Sequence, residues 1–292
     1  MSLSKTLQSP EILEKIVGKN FDEVKEIMIP RGNEYYSKNS EESEMIRQNL
    51  MSFGLPSNDE IVKKVEENII LHYAEKVFPL TGKPAQLAEF IETRIDFAEA
   101  KNLLETALKN GSALVATPHF GGVEFITPTI SFMKLPVNPV LKFTTQNLSD
   151  KIRAFAESME KNGNFAKINF IELGKPNSQG ALAMAAVLNK NEILFSVFDE
   201  ETPYSKPANL FGKKVLGGAG LDKLLKFASR KVSVFTVFMI RKGENYEMKL
   251  LPININAENP IQEMYSNLES VLKENFVQWY FLHEEIPFAS EK

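Results

Sequence analysis

Apolar positions along the chain change their period near residue 110. Before it, Glu44-Met-Ile-Arg-Gln-Asn-Leu50 and Asp59-Glu-Ile-Val-Lys-Lys-Val-Glu-Glu-Asn-Ile-Ile-Leu-His-Tyr73 carry apolar residues at three- and four-residue intervals with charges between them. That spacing predicts amphipathic helices. Phe97 to Lys109 repeats it and is closed by Asn110-Gly111, a helix stop. Beyond this point short β-branched or aromatic runs alternate with amphipathic stretches. The runs predict strands at Ser112–Thr117, Pro139–Thr145, Ile168–Leu173, Ile193–Phe198, Val232–Ile240 and Tyr246–Ile255. The stretches predict helices at Gly122–Phe132, Ser149–Asn162, Ser178–Asn189, Ala219–Lys231 and Ile261–Phe276. Such alternation predicts an α/β fold: a mixed, largely parallel central sheet covered by helices, with the amino-terminal helical segment packed on it. No internal repeat, low-complexity tract or linker interrupts the pattern. A single domain over 1–292 is therefore expected, with a mainly helical lead-in (1–110) and an α/β body (111–287).

Composition narrows the chemistry. The chain has no cysteine, which excludes disulfides, thiolate metal sites and a cysteine nucleophile. Its three histidines, His72, His119 and His283, are far apart in sequence, which argues against a histidine-rich zinc site, so no metal is expected. A net charge of −4 argues against a general nucleic-acid binder. The amino-terminal segment, beginning Met1-Ser-Leu-Ser-Lys-Thr-Leu-Gln-Ser-Pro10, lacks the continuous apolar core of a secretory signal. No window approaches the ~18 apolar residues of a membrane span. A cytoplasmic location is expected, with membrane contact at most peripheral and on the inner membrane. The absence of a G-x-S-x-G elbow counts against a serine hydrolase.

In open α/β sheets, working groups gather where strands end and the chain turns into the next helix. His119 lies two residues past the predicted strand Ser112–Thr117. Gly121 and Gly122 let backbone approach a ligand. Glu124 falls in the first turn of the next predicted helix, within reach of folding back on His119. A carboxylate on one ring nitrogen fixes the tautomer and leaves the other as a general base. A histidine in this position also serves as a helix cap or a crevice filler, and spacing alone does not separate these readings. Asp199 closes the strand Ile193–Phe198, where it suits orienting a substrate or a base, or capping a turn. The glycine-rich Asn209-Leu-Phe-Gly-Lys-Lys-Val-Leu-Gly-Gly-Ala-Gly220 precedes a predicted helix but has neither P-loop nor dinucleotide spacing. From Lys213 to Lys242 eight basic residues (Lys213, Lys214, Lys223, Lys226, Arg230, Lys231, Arg241, Lys242) face one acid, Asp222. This local excess suits an acidic partner or a solvated helix face. His72 is read as structural, and His283 as part of an aromatic core strand with Trp279, Tyr280 and Phe281.

His119-Phe-Gly-Gly-Val-Glu124 is an H-x-x-x-x-E box that resembles the lysophospholipid acyltransferase superfamily, and within it the lipid A biosynthesis (lauroyl/myristoyl) acyltransferase branch. Further segments resemble that branch in order. They are Met45-Ile-Arg-Gln-Asn-Leu50, Ala100 to Gly111, Phe198-Asp199-Glu200, Leu210-Phe211-Gly212-Lys213 and Val277-Gln-Trp-Tyr-Phe-Leu-His283. The resemblance spans roughly 45–287. It implies His119 as general base, Glu124 as its orienting partner and Asp199 as a supporting acid. The resemblance further implies that Phe211 and Gly212 form a turn supporting the site and that the acyl thioester donor is carried on acyl carrier protein or coenzyme A, with no bound cofactor. Lys142 falls where the family has an active-site arginine, keeping the charge but losing the bidentate fork. Gly121–Gly122 N–H groups and Lys142 are the candidates for holding an oxyanion. Acyl carrier protein is expected to dock at the Lys213, Lys214, Lys223, Lys226, Arg230 and Lys231 region. Two departures point away from a lipid A acceptor: a polar amino terminus where the family has a membrane-spanning helix, and Glu284-Glu285 where it tends toward arginine. The leading expectation is acyl transfer to a hydroxyl or amine of a soluble or peripherally bound acceptor. The alternatives are a membrane-surface lysophospholipid or lipid A precursor acyltransferase, a non-enzymatic acyl-chain or carrier-protein binder, and a thioesterase.

Overall fold

Six helices fill the first ninety-odd residues, each opened or faced by recognisable local signals. They are α1 (Leu3–Leu7), α2 (Pro10–Ile16), α3 (Phe21–Lys38), α4 (Ser40–Ser52), α5 (Asp59–Thr81) and α6 (Pro84–Arg94). In α3 a capping box joins Asn20 and Glu23: Asn20 Oδ1 accepts the Glu23 N–H at 3.0 Å, and Glu23 Oε2 accepts the Asn20 N–H at 2.9 Å. Asn58 caps α5 by accepting the Ile61 N–H. The periodic pattern in the sequence stops near Tyr73, but α5 runs eight residues further, through Pro79, because Val77 and Phe78 continue its buried face.

The computed structural model describes residues 2–142, 145–173, 177–202, 205–218, 224, 231–286 and 288. Within them the body contains β1 (Ile95–Asp96), α7 (Ala98–Asn110), β2 (Ser112–Thr117), α8 (Ile126–Phe132), β3 (Val137–Leu141), α9 (Gln146–Lys161), β4 (Ile171–Glu172), α10 (Asn177–Leu188), β5 (Ile193–Val197), β6 (Lys206–Leu210), β7 (Lys213–Gly217), β8 (Val232–Lys242), β9 (Asn245–Pro252) and α11 (Pro260–Asn275). The main sheet runs β1-β9-β8-β2-β5-β3-β4. All its pairings are parallel except the antiparallel β8–β9 hairpin. The fold is therefore α/β with a mixed, mostly parallel sheet. Strand β2 lies at its centre between β5 and β8, and all six of its residues are buried, as expected of a strand covered on both faces. One cluster of buried side chains extends from Leu3 to Ile286.

Several expected elements differ from the observed ones. The strand expected over Pro139–Thr145 begins at Val137 and ends at Leu141, and that expected over Ile168–Leu173 shrinks to Ile171–Glu172 at the sheet edge. The glycine-rich segment opens no helix in its first half. It forms the β6–β7 hairpin, turned by Phe211 (φ 48°) and Gly212 (φ 74°). Alternation explains this: Ala208, Leu210 and Val215 are buried while Lys206, Lys213 and Lys214 face outward. The helix expected over Ala219–Lys231 lies outside the described residues except Leu224 and Lys231. The aromatic run Trp279-Tyr280-Phe281 is no core strand. Trp279 falls between two 3-10 turns, Phe276–Gln278 and Tyr280–His283, and forms an isolated bridge with Phe120, while Tyr280 and Phe281 lie in the second turn. Among the described residues, no helix is long and apolar enough to cross a membrane.

Candidate active site

Register places the chemistry. β2 and β5 are parallel neighbours, with Thr117 opposite Val197. Two residues beyond each come His119 and Asp199, so the two side chains meet at the carboxyl edge of the sheet. His119 Nδ1 lies 2.9 Å from Asp199 Oδ1, and the His119 backbone N–H donates to Asp199 Oδ2 at 2.8 Å. Trp279 Nε1–H points to the same oxygen at 3.4 Å. Asp199 is thus buried but held by donors on both oxygens. This fixes Nδ1 as the protonated nitrogen and directs Nε2 outward. Nε2 lies 3.5 Å from Glu200 Oε1, on a side chain that is 59% exposed, while the His119 side chain is 21% exposed. Burial pulls the imidazole pKa down, but the charges of Asp199, Glu200 and Glu124 override it and raise the value to about 9.

Glu124 is not the orienting partner of His119. It sits on a 3-10 turn (Val123–Phe125) rather than in an α-helix and lies beyond ion-pair distance of the His119 ring. Its Oε1 is 4.0 Å from Nε2 of His72 on α5. The parallel register brings Asp199 to Nδ1 instead, from eighty residues away in sequence. Glu124 acts on His119 only through its charge.

Gly121 and Gly122 serve packing rather than an open anion site. The Gly121 N–H donates to Gln278 O at 3.0 Å and the Gly122 N–H to Met239 O at 2.9 Å. Neither amide is free for an oxyanion, which corrects that expectation. Gly121 has φ 56°, and a Cβ there would lie 1.9 Å from Met239 O. At Gly122 a Cβ would meet the Tyr246 ring at 2.7 Å. Lys142 is exposed just past the end of β3, with no hydrogen bond or ion pair to the His119–Asp199 pair. Phe211 and Gly212 stand further out. Phe211 packs on Phe53, which packs in turn on Trp279, with ring centroids 6.1 and 5.7 Å apart.

The loop bearing His119 is anchored from behind by Arg241. This side chain counted among the basic excess, yet it is buried: Nε and one Nη donate to the two oxygens of Glu75, each at 2.7 Å. The same guanidinium donates to Gly121 O at 2.8 Å and to Asn68 Oδ1 at 2.9 Å, and Tyr246 donates to Glu75 at 2.8 Å. Burial opposes the arginine's charge, and Glu75 more than restores it. From the front, Gln278 pairs its amide with both backbone groups of Arg241, and the Tyr280 N–H donates to His119 O at 2.9 Å.

The three histidines are distant in sequence but not in space. The Tyr280 ring lies against all of them, at centroid distances of 4.4 Å to His72, 6.1 Å to His119 and 4.3 Å to His283. Burial lowers the pKa of His72 and of His283, which favours their neutral forms. Among the described residues no three His, Asp or Glu side chains are grouped to hold a metal ion. Two segments that carried the family resemblance also meet here: Asn49 Nδ2 donates to Leu282 O and Glu284 O at 3.0 and 2.9 Å. Sequence reading missed Glu75 altogether and the roles that Arg241, Gln278 and Tyr280 play at the site. The one signal available for Arg241 was a charged residue ending an otherwise apolar run, Val232 to Ile240. No protein-family model matches the chain, and no curated protein matches it.

Proposed function

We propose that this protein is an acyltransferase that moves a fatty acyl group from an acyl-carrier-protein or coenzyme A thioester to a hydroxyl or amine acceptor. The observation that carries the reading is the buried Asp199 on Nδ1 of His119, with Nε2 directed to the open edge of the sheet. In this reading the free-base form of His119, the minor form at neutral pH with a pKa of about 9, takes the proton of the acceptor hydroxyl at Nε2 while the oxygen attacks the thioester carbonyl carbon, so turnover rises with pH toward 9. The C–O bond forms, the C–S bond breaks, and the imidazolium returns the proton to the departing thiolate. Asp199 stabilises the imidazolium throughout and keeps the ring oriented. Glu200 occupies the Nε2 position in the resting protein, and its exposed side chain yields that place to the acceptor.

The carrier protein is acidic in this reading and docks on the exposed Lys213, Lys214 and Lys231. Lys223, Lys226 and Arg230 of the expected docking region lie outside the described residues, and Arg241 is committed to Glu75. The test is incubation with palmitoyl thioesters of both carriers, following thiol release and identifying acylated products by mass spectrometry. Thiol release dependent on His119 and Asp199 supports the reading. Equal release by wild type and His119→Ala removes it, and release of free fatty acid alone identifies a thioesterase.

A further inference from the structure

The acid beside the histidine in sequence, Glu124, is left without the role its spacing suggested, and its surroundings are unusual. Its carboxylate is one-third exposed and makes no hydrogen bond among the described residues. Facing it across 4.0 Å is Nε2 of His72, whose side chain is only 6% exposed. That separation is too long for a hydrogen bond. Nδ1 of His72 is buried with no partner either. His72 is therefore a buried ring with its Nδ1 unpaired among the described residues and its Nε2 aimed at a carboxylate it does not reach. Such a group ordinarily has a partner. The basic groups of the neighbourhood do not provide one: Arg241 is held by Glu75, Asn68 and Gly121, and Lys76, one turn along α5 and exposed, forms no ion pair with Glu124.

We propose that the gap between Glu124 and His72 binds a primary ammonium group, and that the acceptor is an amino alcohol whose hydroxyl reaches Nε2 of His119. An ammonium nitrogen about 2.9 Å from each of two acceptors fits between atoms 4.0 Å apart. Burial keeps His72 neutral, so its Nε2 lone pair accepts one N–H while the carboxylate accepts another. The Tyr280 ring lies 4.4 Å from His72 and 6.1 Å from His119, so the two half-sites share one aromatic wall. Glu200, on the other side of His119 Nε2, adds a second carboxylate to the mouth. The subsite thus favours a cation over a neutral polyol and disfavours a phosphorylated acceptor.

The fate of the hydroxyl rests on the acyl-transfer reading, but the ammonium subsite has its own readout. Imidazole NMR signals of the full-length protein are followed during titration with 2-aminoethanol, 1,2-ethanediol and inorganic phosphate at equal concentrations. The expected result is a saturable shift of the His72 signals with 2-aminoethanol only, weakened at least tenfold in Glu124→Gln, together with a shift of the His119 signals that is lost in His72→Phe. No saturable shift with 2-aminoethanol, or the same response to 1,2-ethanediol or phosphate, overturns the subsite. Thiol release from a palmitoyl thioester is measured on the same samples. Ammonium binding without His119-dependent release leaves the subsite standing and removes the acyl-transfer reading. Release without ammonium binding does the reverse.

Discussion

Two buried ion pairs flank the loop that carries His119, and they differ in how completely they are satisfied. On one side Arg241 and Glu75 are joined through two parallel bonds and further held by Asn68, Tyr246 and Gly121 O. Both side chains are closed off from solvent, at 6% and 0% exposure. On the other side the His119 ring makes one bond to Asp199, beside that of its backbone N–H, Asp199 is sealed, and the second imidazole nitrogen faces outward toward an exposed glutamate side chain. A satisfied pair fixes position, because every proton it could exchange is already engaged. A pair with one nitrogen left toward solvent keeps a proton to move. The contrast separates scaffold from chemistry within a few residues of the same loop, and it yields experiments that affect one side without the other.

The largest effect is expected at the open pair. His119→Ala lowers thiol release from acyl thioesters by about 10²–10⁴-fold, read on protein shown to be folded by circular dichroism, since losing the imidazole also takes the charge partner from buried Asp199 and lowers stability. Arg241→Ala does the opposite in emphasis. Removing one member of a buried pair leaves Glu75 uncompensated and costs about 3–5 kcal/mol of stability, measured by denaturant unfolding. A loss under ~1 kcal/mol would mean that the pair is not sealed. Gly121→Ala comes next, because it combines a left-handed backbone with a Cβ driven into Met239 O. It is expected to destabilise by more than ~1 kcal/mol and to reduce turnover with it. Gly163 has φ 80° and open space around its Cβ position, so Gly163→Ala, losing about 1 kcal/mol with turnover unchanged, is the control.

A separate effect is in the pH dependence of folding. His72 has a folded pKa below its unfolded value of about 6.5, so the unfolded chain binds the extra proton. Stability therefore falls as pH drops below about 6.5, by up to ~1.4 kcal/mol per pH unit for one such group. His119 works the other way: its folded pKa is raised to about 9, so its contribution is full below pH 6.5 and is lost as pH rises toward 9. Replacing His72 by Gln is expected to flatten the acid limb and leave the alkaline limb in place, as measured by unfolding at pH 5.5, 7 and 9.

Legibility in the sequence followed the range of the physics involved. Ser112–Thr117 was readable to the residue because a central strand buried on both faces is a continuous apolar run between a glycine and a proline. Edge strand β4 was not, since two paired residues leave almost no pattern. The β6–β7 hairpin was obscured by glycines that resemble a phosphate loop, although its alternating lysines carried the strand signal. At the site, His119 and Asp199 were both legible as strand-end residues, but their partnership was not. It depends on β5 lying next to β2, with β3 and β4 between them in sequence but not at that edge. Glu124 looked like the partner because local spacing favours it, and the 3-10 turn then carries it toward His72 instead. Arg241 and Glu75 are 166 residues apart, and nothing local connects them.

Asp199, not Glu124, governs the His119 imidazole, and every functional step proposed for this protein depends on that partnership. Titration of the His119 ring signals by NMR in wild type, Asp199→Asn and Glu124→Gln tests it most directly. The wild-type pKa is expected near 9, with Asp199→Asn bringing it to the ordinary histidine range or below and Glu124→Gln lowering it only slightly. A larger drop in Glu124→Gln than in Asp199→Asn would contradict this assignment.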